Sequence, residues 1–381
     1  MTPPSDQHKT LKLGFIGGSL TSAVGYAHWT ASQLDSRWAV VSGCFSRDEQ
    51  KNQATAQAWK IQDHKLYSNW KDYILHEKHN LDAIVVLTPT PEHHEIVCAL
   101  LDAGIAVICE KAMVATLKQS KKIKDTLLRT KGFLAVTFNY SGYPMLRVLR
   151  HHVQEGSLGT LKQIQIEMPS DGFIQPEEKM RPQKWRLIDG EIPTLLLDLA
   201  VHVQHLTSFL TELAPVSVNA DFHNDSIFNG IVDDAYMWVK YENDFRASIW
   251  VSKSALGHRN GLRLRLFGDA ASAEWFQEEP ERLHIFNKDS SRLTYDRGNC
   301  LYPNEIRERF KPGHPTGFIE AFGNLYADIA DALLEFRKKG CHTSPYVYGW
   351  EHANNGLELL ASASQSNQDK TWINLSGGEK R

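Results

Sequence analysis

Two short stretches hold side chains whose types and spacing could do chemistry. The first is Ile105-Ala106-Val107-Ile108-Cys109, an apolar run rich in β-branched residues that stops at Glu110 and Lys111. Such a run reads as a buried parallel strand with both faces covered. At the carboxyl end of a strand in an open α/β sheet, a lysine faces the ligand crevice and can reach a bound substrate. The plain alternative is a solvated charge pair closing a strand. The second stretch is Asp198-Leu199-Ala200-Val201-His202-Val203-Gln204-His205, within a segment from Thr194 to Leu210 that reads as helix. Asp198 and His202 are four apart and share a helical face, and His205 is nearby. A carboxylate beside an imidazole can orient it and tune it as a general base; the alternative is a helix salt bridge. Asp198, His202 and His205 could also ligate a metal. The spacing is not HExxH and no further ligand is evident, so no metal site is expected.

The chain around them has 381 residues, enough for two domains with substantial cores. With 42% hydrophobic and 23% charged residues it has the composition of an ordinary soluble globular protein. A net charge of −3, with no basic block, argues against a nucleic-acid partner. No apolar run approaches the ~18 residues of a membrane span. Met1 to Thr10 is polar, contains Pro3 and Pro4, and reads as a flexible tail rather than a signal peptide. Cys44, Cys98, Cys109, Cys300 and Cys341 are odd in number and scattered, which predicts a reduced, cytoplasmic protein.

From Leu11 the chain alternates strands and helices. Strands are predicted at 11–16, 38–45, 66–67, 81–87, 105–109 and 133–137, and helices at 23–34, 49–59, 70–77, 92–103 and 117–129. This spacing means βαβ units, a parallel sheet and right-handed crossovers. Gly17-Gly18-Ser19 lies between the first strand and first helix, where a glycine lets the backbone approach a pyrophosphate and the helix N-terminus offers N–H groups. A strict GxGxxG is absent: Ser19 and Ser22 take the second and third glycine positions, and Gly25 lies three residues on. After the second strand, Ser46-Arg47 suits a 2′-phosphate, which leans toward NADP, while Asp48 keeps NAD open. Thr88-Pro89-Thr90-Pro91-Glu92-His93 ends another strand at the crevice edge; Thr90 could cap the next helix, with His93 and His94 on the surface of its first turn.

After Asn139-Tyr140-Ser141-Gly142-Tyr143-Pro144 the pattern changes. A helix is predicted at 145–154, followed by strands at 161–168, 216–222, 235–241, 246–251, 262–267, 273–276 and 283–286. Glu242-Asn243-Asp244 is a hairpin turn, so the sheet should be largely antiparallel. Leu262-Arg263-Leu264-Arg265-Leu266 alternates with period two, giving one apolar and one charged face. Helices return at 316–338 and 350–362. An apolar face of this size must be covered by helices or by another subunit, which predicts a homodimer or homotetramer. The domain boundary is expected near residue 138: residues 1–138 bind a dinucleotide, and 139–381 bind substrate and self-associate.

Taken in order, the motifs resemble the glucose–fructose oxidoreductase / inositol dehydrogenase (Gfo/Idh/MocA) family over nearly the whole chain. Leu13-Gly14-Phe15-Ile16-Gly17-Gly18 resembles its opening strand and turn. The spacing to Gly25 and His28 is similar to a subgroup with a longer first loop. Thr88-Pro89-Thr90 with His93 resembles TPN-x-x-H, Glu110-Lys111 resembles EKP, and Asp198 with His202 matches D-x-x-x-H. Asn139-Tyr140 to Pro144, Asn260-Gly261-Leu262-Arg263, Glu274-Trp275 with Gln277-Glu278, and Gly313-His314-Pro315 with Gly317 resemble the same subgroup.

The resemblance implies a Rossmann domain followed by an α/β domain with a large, mostly antiparallel open sheet. It implies NAD(P)-dependent hydride transfer at a hydroxyl or ketone of a sugar, anhydrosugar or cyclitol. By position, Lys111 would hold the alcohol oxygen and lower its pKa, His202 would accept the proton, and Asp198 would orient His202 or the substrate. Gly17, Gly18, Ser19, Ser46, Arg47, Thr88, Thr90, His93 and Glu110 would line the cofactor; Asn139, Tyr140, Arg186 and His205 would face the substrate. Departures exist. Ala112 stands where the family has proline, which predicts against a cis peptide there, at a cost on the order of 3 kcal/mol. Thr90 replaces an asparagine, and Ile192-Pro193-Thr194 replaces a glycine-rich turn. Two other activities fit the fold: an NAD-dependent glycosidase using transient oxidation, which makes no net NADH, and a non-catalytic nucleotide-sensing regulator.

Overall fold

The computed structural model describes residues 10–174, 182–300, 302 and 306–375. The expected flexible tail lies outside these, apart from Thr10. Elements in the first part are Leu11–Gly17 (β1), Gly25–Gln33 (α1), Trp38–Cys44 (β2), Glu49–Ala58 (α2), Trp70–Glu77 (α3), Ala83–Leu87 (β3), His93–Asp102 (α4), Ala106–Cys109 (β4), Leu117–Thr130 (α5) and Leu134–Val136 (β5). Then come Pro144–Gln154 (α6), Leu161–Pro169 (β6), Val201–Thr211 (α7), Pro215–His223 (β7), Asp234–Tyr241 (β8), Arg246–Ser252 (β9) and Arg263–Gly268 (β10). The chain continues through Ala271–Phe276 (β11), Leu283–Asn287 (β12), Arg292–Tyr295 (β13), Phe318–Lys339 (α8), Trp350–Asp369 (α9) and Ile373–Asn374 (β14). They form two compact units: Met1–Val114, Lys118–Gly142 and Phe318–Glu351 in one, Ala115–Leu117, Tyr143–Gly317 and His352–Arg381 in the other.

The first unit is a parallel sheet of order β2-β1-β3-β4-β5. Every residue of β3 is buried, as expected of a strand covered on both faces. The order reverses at β1, so a ligand crevice lies at the carboxyl ends of β1 and β3. One face of the sheet packs Leu11, Leu13, Phe15, Val85 and Ile108 in a cluster with Phe322, Leu325, Tyr326 and Ile329 of α8. Trp38 joins it, and its indole N–H donates to the Tyr326 carbonyl at 2.8 Å. The helix predicted over 316–338 therefore packs in the first unit, although it lies far along the sequence. The strand expected at Leu66–Tyr67 is reduced to one bridge, Gly43 to Leu66, beside a 3₁₀ turn at Asp63–Lys65.

The second unit carries a sheet of order β13-β12-β11-β10-β6-β9-β8-β7-β14 among the described residues. All its neighbouring strands run antiparallel except β6 and β9. The period-two pattern holds: Leu262, Leu264 and Leu266 are buried, while Arg263 and Arg265 are not. Helices α6 and α7 pack on this sheet. The apolar face is thus covered from within the unit, and the requirement for a second subunit to cover it falls away. The opposite face presents Tyr236, Trp238 and the partly exposed Trp250 among polar side chains.

A 3₁₀ turn at Asn139–Gly142 follows β5. A Cβ on Gly142 would stand 2.0 Å from the Ala321 carbonyl oxygen, and Asn324 Nδ2 donates to the Gly142 carbonyl at 2.8 Å. We expect Gly142→Ala to cost roughly 1–3 kcal/mol by overpacking. It should lower the denaturant midpoint with little change in slope.

His205 of α7 is buried, and its Nδ1 lies 2.8 Å from Nε2 of His352 on α9. One ring donates and the other accepts. Burial pushes both pKa values down, His205 well below the usual range and His352 to about 4. The unfolded chain therefore binds protons that the folded one does not. The stability held above ~6.5 is lost as pH falls toward the folded values, by up to ~1.4 kcal/mol per pH unit per histidine. Urea midpoints at pH 7 and pH 5 should differ more for the wild-type protein than for His205→Leu; equal differences would remove this pair as the cause.

Candidate active site

β1 runs into Gly17 and Gly18, both left-handed with φ of +80° and +76°. A Cβ on Gly17 would meet the Leu87 carbonyl carbon at 2.7 Å, and one on Gly25 would meet the Gly18 oxygen at 2.0 Å. Glycine at these positions lets α1 approach the loop closely. Ser22 Oγ accepts the N–H of Gly25 at 3.2 Å, and α1 begins there, two residues beyond the predicted start. Ser19 is buried, with its hydroxyl 3.3 Å from that of Thr21.

After β2 the chain is shaped by Asn52, a residue the sequence did not single out. Its Oδ1 accepts the N–H groups of Phe45 and Ser46 at 2.8 and 3.2 Å, and its Nδ2 donates to the Tyr67 carbonyl at 2.9 Å. Asp48 caps α2, accepting the Lys51 N–H at 3.1 Å, and Ser46 Oγ accepts the Asp48 N–H at 3.1 Å. Arg47 is largely exposed and pairs with Glu92 at 3.1 Å.

At the end of β3 the sequence expectation needs correcting. His93 is not a surface residue: it is 1% exposed. Its Nε2 faces the Thr88 carbonyl at 2.7 Å, and its Nδ1 faces the carbonyls of Ala112 and Met113 at 3.1 and 3.3 Å. Burial lowers its pKa against the pull of these carbonyls. With both ring nitrogens turned to backbone, His93 offers neither to a cofactor; it joins the end of β3 to the turn after β4. Thr90 is not the cap of α4: it begins a 3₁₀ turn at Thr90–Glu92, and Glu92 takes the N-cap position. Thr90 is buried.

Glu110 and Lys111 follow β4 directly. Lys111 is half-buried, and its peptide bond to Ala112 is cis, contrary to the sequence expectation. The carbonyls of Ala112 and Met113 on this turn are the ones that face His93. Glu110 is 6% exposed; its Oε1 accepts from Thr137 Oγ1 at 3.2 Å and lies 3.8 Å from His28 Nε2. Asn139 and Tyr140, in the turn after β5, are also buried.

These residues fit a dinucleotide. The glycine turn leaves backbone close to where a pyrophosphate would lie, ahead of the start of α1. At the carboxyl edge, Thr88 Oγ1, Glu110 Oε2 and Asn139 Nδ2 are buried without a hydrogen-bond partner among the described residues. Buried polar atoms are normally satisfied, so such a group points to a ligand.

The second unit sets Asp198 in a π-helical turn, Leu196–Ala200, that leads into α7. Such turns often mark functional sites. The preceding segment is anchored by Asp189, which accepts the N–H groups of Thr194 and Val232 at 2.8 and 2.7 Å. Asp198 is engaged by cations from outside its own helix: Arg186 Nη1 and Lys253 Nζ each lie 2.6 Å from its Oδ2. Lys253, just past β9, is buried, and its ammonium sits 4.7 Å from the Phe173 ring centroid. His202 is buried on the first turn of α7. His205 is fully buried, and its Nδ1 is bonded to His352. Lys253 was not read from the sequence, since 55 residues separate it from Asp198 and only the sheet brings them together.

Comparison with known proteins agrees with this architecture. A family model described as oxidoreductase family, NAD-binding Rossmann fold matches residues 11–138, and the GFO/IDH/MocA C-terminal domain model matches residues 146–274. The chain is 27% identical over 342 residues to the uncharacterized oxidoreductase YfiI of Bacillus subtilis, covering 85% of this chain and 86% of that one. It is 22% identical to a levoglucosan dehydrogenase of Pseudarthrobacter phenanthrenivorans, covering 96% and 98%. An inositol dehydrogenase homolog from Azotobacter vinelandii, solved with NADH and myo-inositol, shares the fold with a TM-score of 0.88 at 24% identity, covering 96% and 97%. With both of its domain models matched in order, the chain belongs to the Gfo/Idh/MocA family of NAD-binding oxidoreductases.

Proposed function

We propose that this protein is an NAD(P)-dependent dehydrogenase that moves a hydride between the nicotinamide and a hydroxyl or ketone carbon of a sugar, anhydrosugar or cyclitol. The observation that carries it is Lys111, a half-buried lysine directly after a buried parallel strand at the carboxyl edge of a nucleotide-binding sheet. The relatives that act on levoglucosan and on inositol support the substrate class. Residues 1–138 serve the nucleotide, and 139–381 serve substrate and self-association.

Gly17, Gly18 and Ser19 would receive the pyrophosphate, Ser46, Arg47 and Asp48 the adenosine ribose, and Thr88, Thr90 and Glu110 the nicotinamide side. The bound dinucleotide supplies the hydride acceptor or donor. The Lys111 ammonium holds the substrate oxygen and favours its anionic form. The His202 imidazole takes the hydroxyl proton during oxidation and returns it during reduction, since hydride leaves carbon only as that proton is lost. Asp198, fixed between Arg186 and Lys253, braces the start of α7, and Arg186, Asn139 and Tyr140 line the substrate side. Arg47, already paired with Glu92, would have to turn from it to meet a 2′-phosphate; comparing Kd for NADH and NADPH decides between the cofactors. The free thiols of Cys44, Cys98, Cys109, Cys300 and Cys341 suit a reducing cytoplasm.

The first experiment is cofactor reduction across a panel of pyranoses, anhydrosugars and inositols. With a substrate in hand, Lys111→Ala and His202→Ala should each lower kcat/KM by about 10²–10⁴-fold while NADH still binds. The double variant should lose little more, since both groups serve one proton. Asp198→Asn should lower the melting temperature as well as turnover, because it strips two cations of their shared carboxylate. Normal turnover in Lys111→Ala would return Glu110-Lys111 to a solvated charge pair.

A homo-oligomer is also proposed, with a second copy on the open sheet face. The stacked Tyr236 and Trp250, 5.9 Å apart, and the half-exposed Trp238 give that face the aromatic content typical of interfaces. Sedimentation at micromolar concentration should find a dimer or tetramer that Trp238→Arg weakens. A wild-type monomer would refute this.

A further inference from the structure

We propose that His28, held by Tyr326, is a positioning residue for the Glu110 carboxylate, and that this buried chain acts on the nicotinamide half of the cofactor. The inference rests on the dinucleotide reading above.

His28 lies on α1 and is completely buried. Its ring is packed edge-on by Phe322 and Tyr326 of α8, with centroids 4.8 and 5.8 Å away. Nδ1 is 2.8 Å from the Tyr326 hydroxyl, and Nε2 faces Glu110 Oε1 at 3.8 Å. Burial, with Glu110 adding to it, keeps the Tyr326 hydroxyl protonated far beyond the usual range. Facing a carboxylate oxygen, Nε2 is the nitrogen suited to carry the imidazole proton, and Nδ1 then accepts from the Tyr326 hydroxyl. The separation is too long for a hydrogen bond but short enough for the Nε2–H dipole to act on a buried carboxylate.

Both this N–H and the Thr137 hydroxyl approach Oε1. Oε2 is buried and has no hydrogen-bond partner among the described residues. An ionised carboxylate only accepts hydrogen bonds, so Oε2 calls for an N–H or O–H donor, or for a positive charge. The sheet order says which half of the cofactor could supply it. Its strands run β2-β1-β3-β4-β5, with the glycine turn after β1 and the ribose-side residues after β2. Glu110 follows β4, on the other flank of β1, where the nicotinamide half belongs. That half offers a carboxamide N–H₂ group and, when oxidised, a cationic ring; both suit Oε2. His28, held by Tyr326, thus keeps the Glu110 carboxylate aimed.

The test compares binding of NAD⁺ and of ADP-ribose, which lacks nicotinamide, to the full chain by calorimetry. Glu110→Gln and His28→Leu should each weaken NAD⁺ by about tenfold, the scale of one charge-assisted contact, and change ADP-ribose less than about twofold. Tyr326→Phe should show the same selectivity at smaller size, and His28→Gln, which keeps an N–H donor, should restore most of the affinity. If His28→Leu does not fold, Glu110→Gln and Tyr326→Phe decide. NAD⁺ affinity unchanged in these variants, or NAD⁺ and ADP-ribose weakened equally, overturns the inference while the dinucleotide reading stands. A wild-type protein that binds neither ligand overturns both.

Discussion

One buried imidazole ties the first unit's functional edge together. His93 faces the Thr88 carbonyl with one ring nitrogen and the Ala112 and Met113 carbonyls with the other. The end of β3 and the turn after β4 are thereby held at fixed separation, and Lys111 stands on that turn. Strand ends leave backbone carbonyls without ladder partners, and buried carbonyls need donors. A neutral imidazole donates only once, so one of the two contacts is made without a proton. The glycine turn after β1 meets the same edge from the other side, where Gly17 lies close against the Leu87 carbonyl.

The second unit solves a related problem with charge. Asp198 sits in a π-helical turn, and its carboxylate reaches Arg186, from the segment before the helix, and Lys253, from the end of β9. Two cations on one carboxylate oxygen fix the helix start against the sheet. A buried ion pair of this kind does little for net stability. Its contribution is to place the first turn of α7, where His202 stands.

Much of this was legible in the sequence. The apolar runs of β3 and β4 and the glycine turn reveal a parallel nucleotide-binding sheet, and the alternation from Leu262 to Leu266 reveals a two-faced antiparallel one. What escaped were contacts set by distant packing. Nothing local distinguishes His93 from an exposed first-turn histidine, and the sequence does not show that His205 pairs with His352; each contact is decided by what lies across it. Helix α8 reads correctly as a helix, but its partner, the face of β1 and β3, lies hundreds of residues upstream and leaves no periodic trace. Asn52 and Lys253 likewise become informative only once loop and sheet are folded.

The two carboxylates beside the charged clusters show why burial alone does not assign a role. Asp198 has two cations within hydrogen-bonding distance, so its charge is already balanced by the protein. Glu110 is more deeply buried, yet within its unit the contacts defined at its carboxylate are one hydroxyl at 3.2 Å and one imidazole at 3.8 Å, both on a single oxygen. Leaving a buried carboxylate so lightly compensated is unfavourable in the free protein. The same feature raises the value of any donor or cation that arrives there, because the low dielectric that penalises the bare charge also strengthens its contacts. Asp198 is therefore a carboxylate that the protein itself satisfies, whereas Glu110 keeps one oxygen without a hydrogen-bond partner among the described residues.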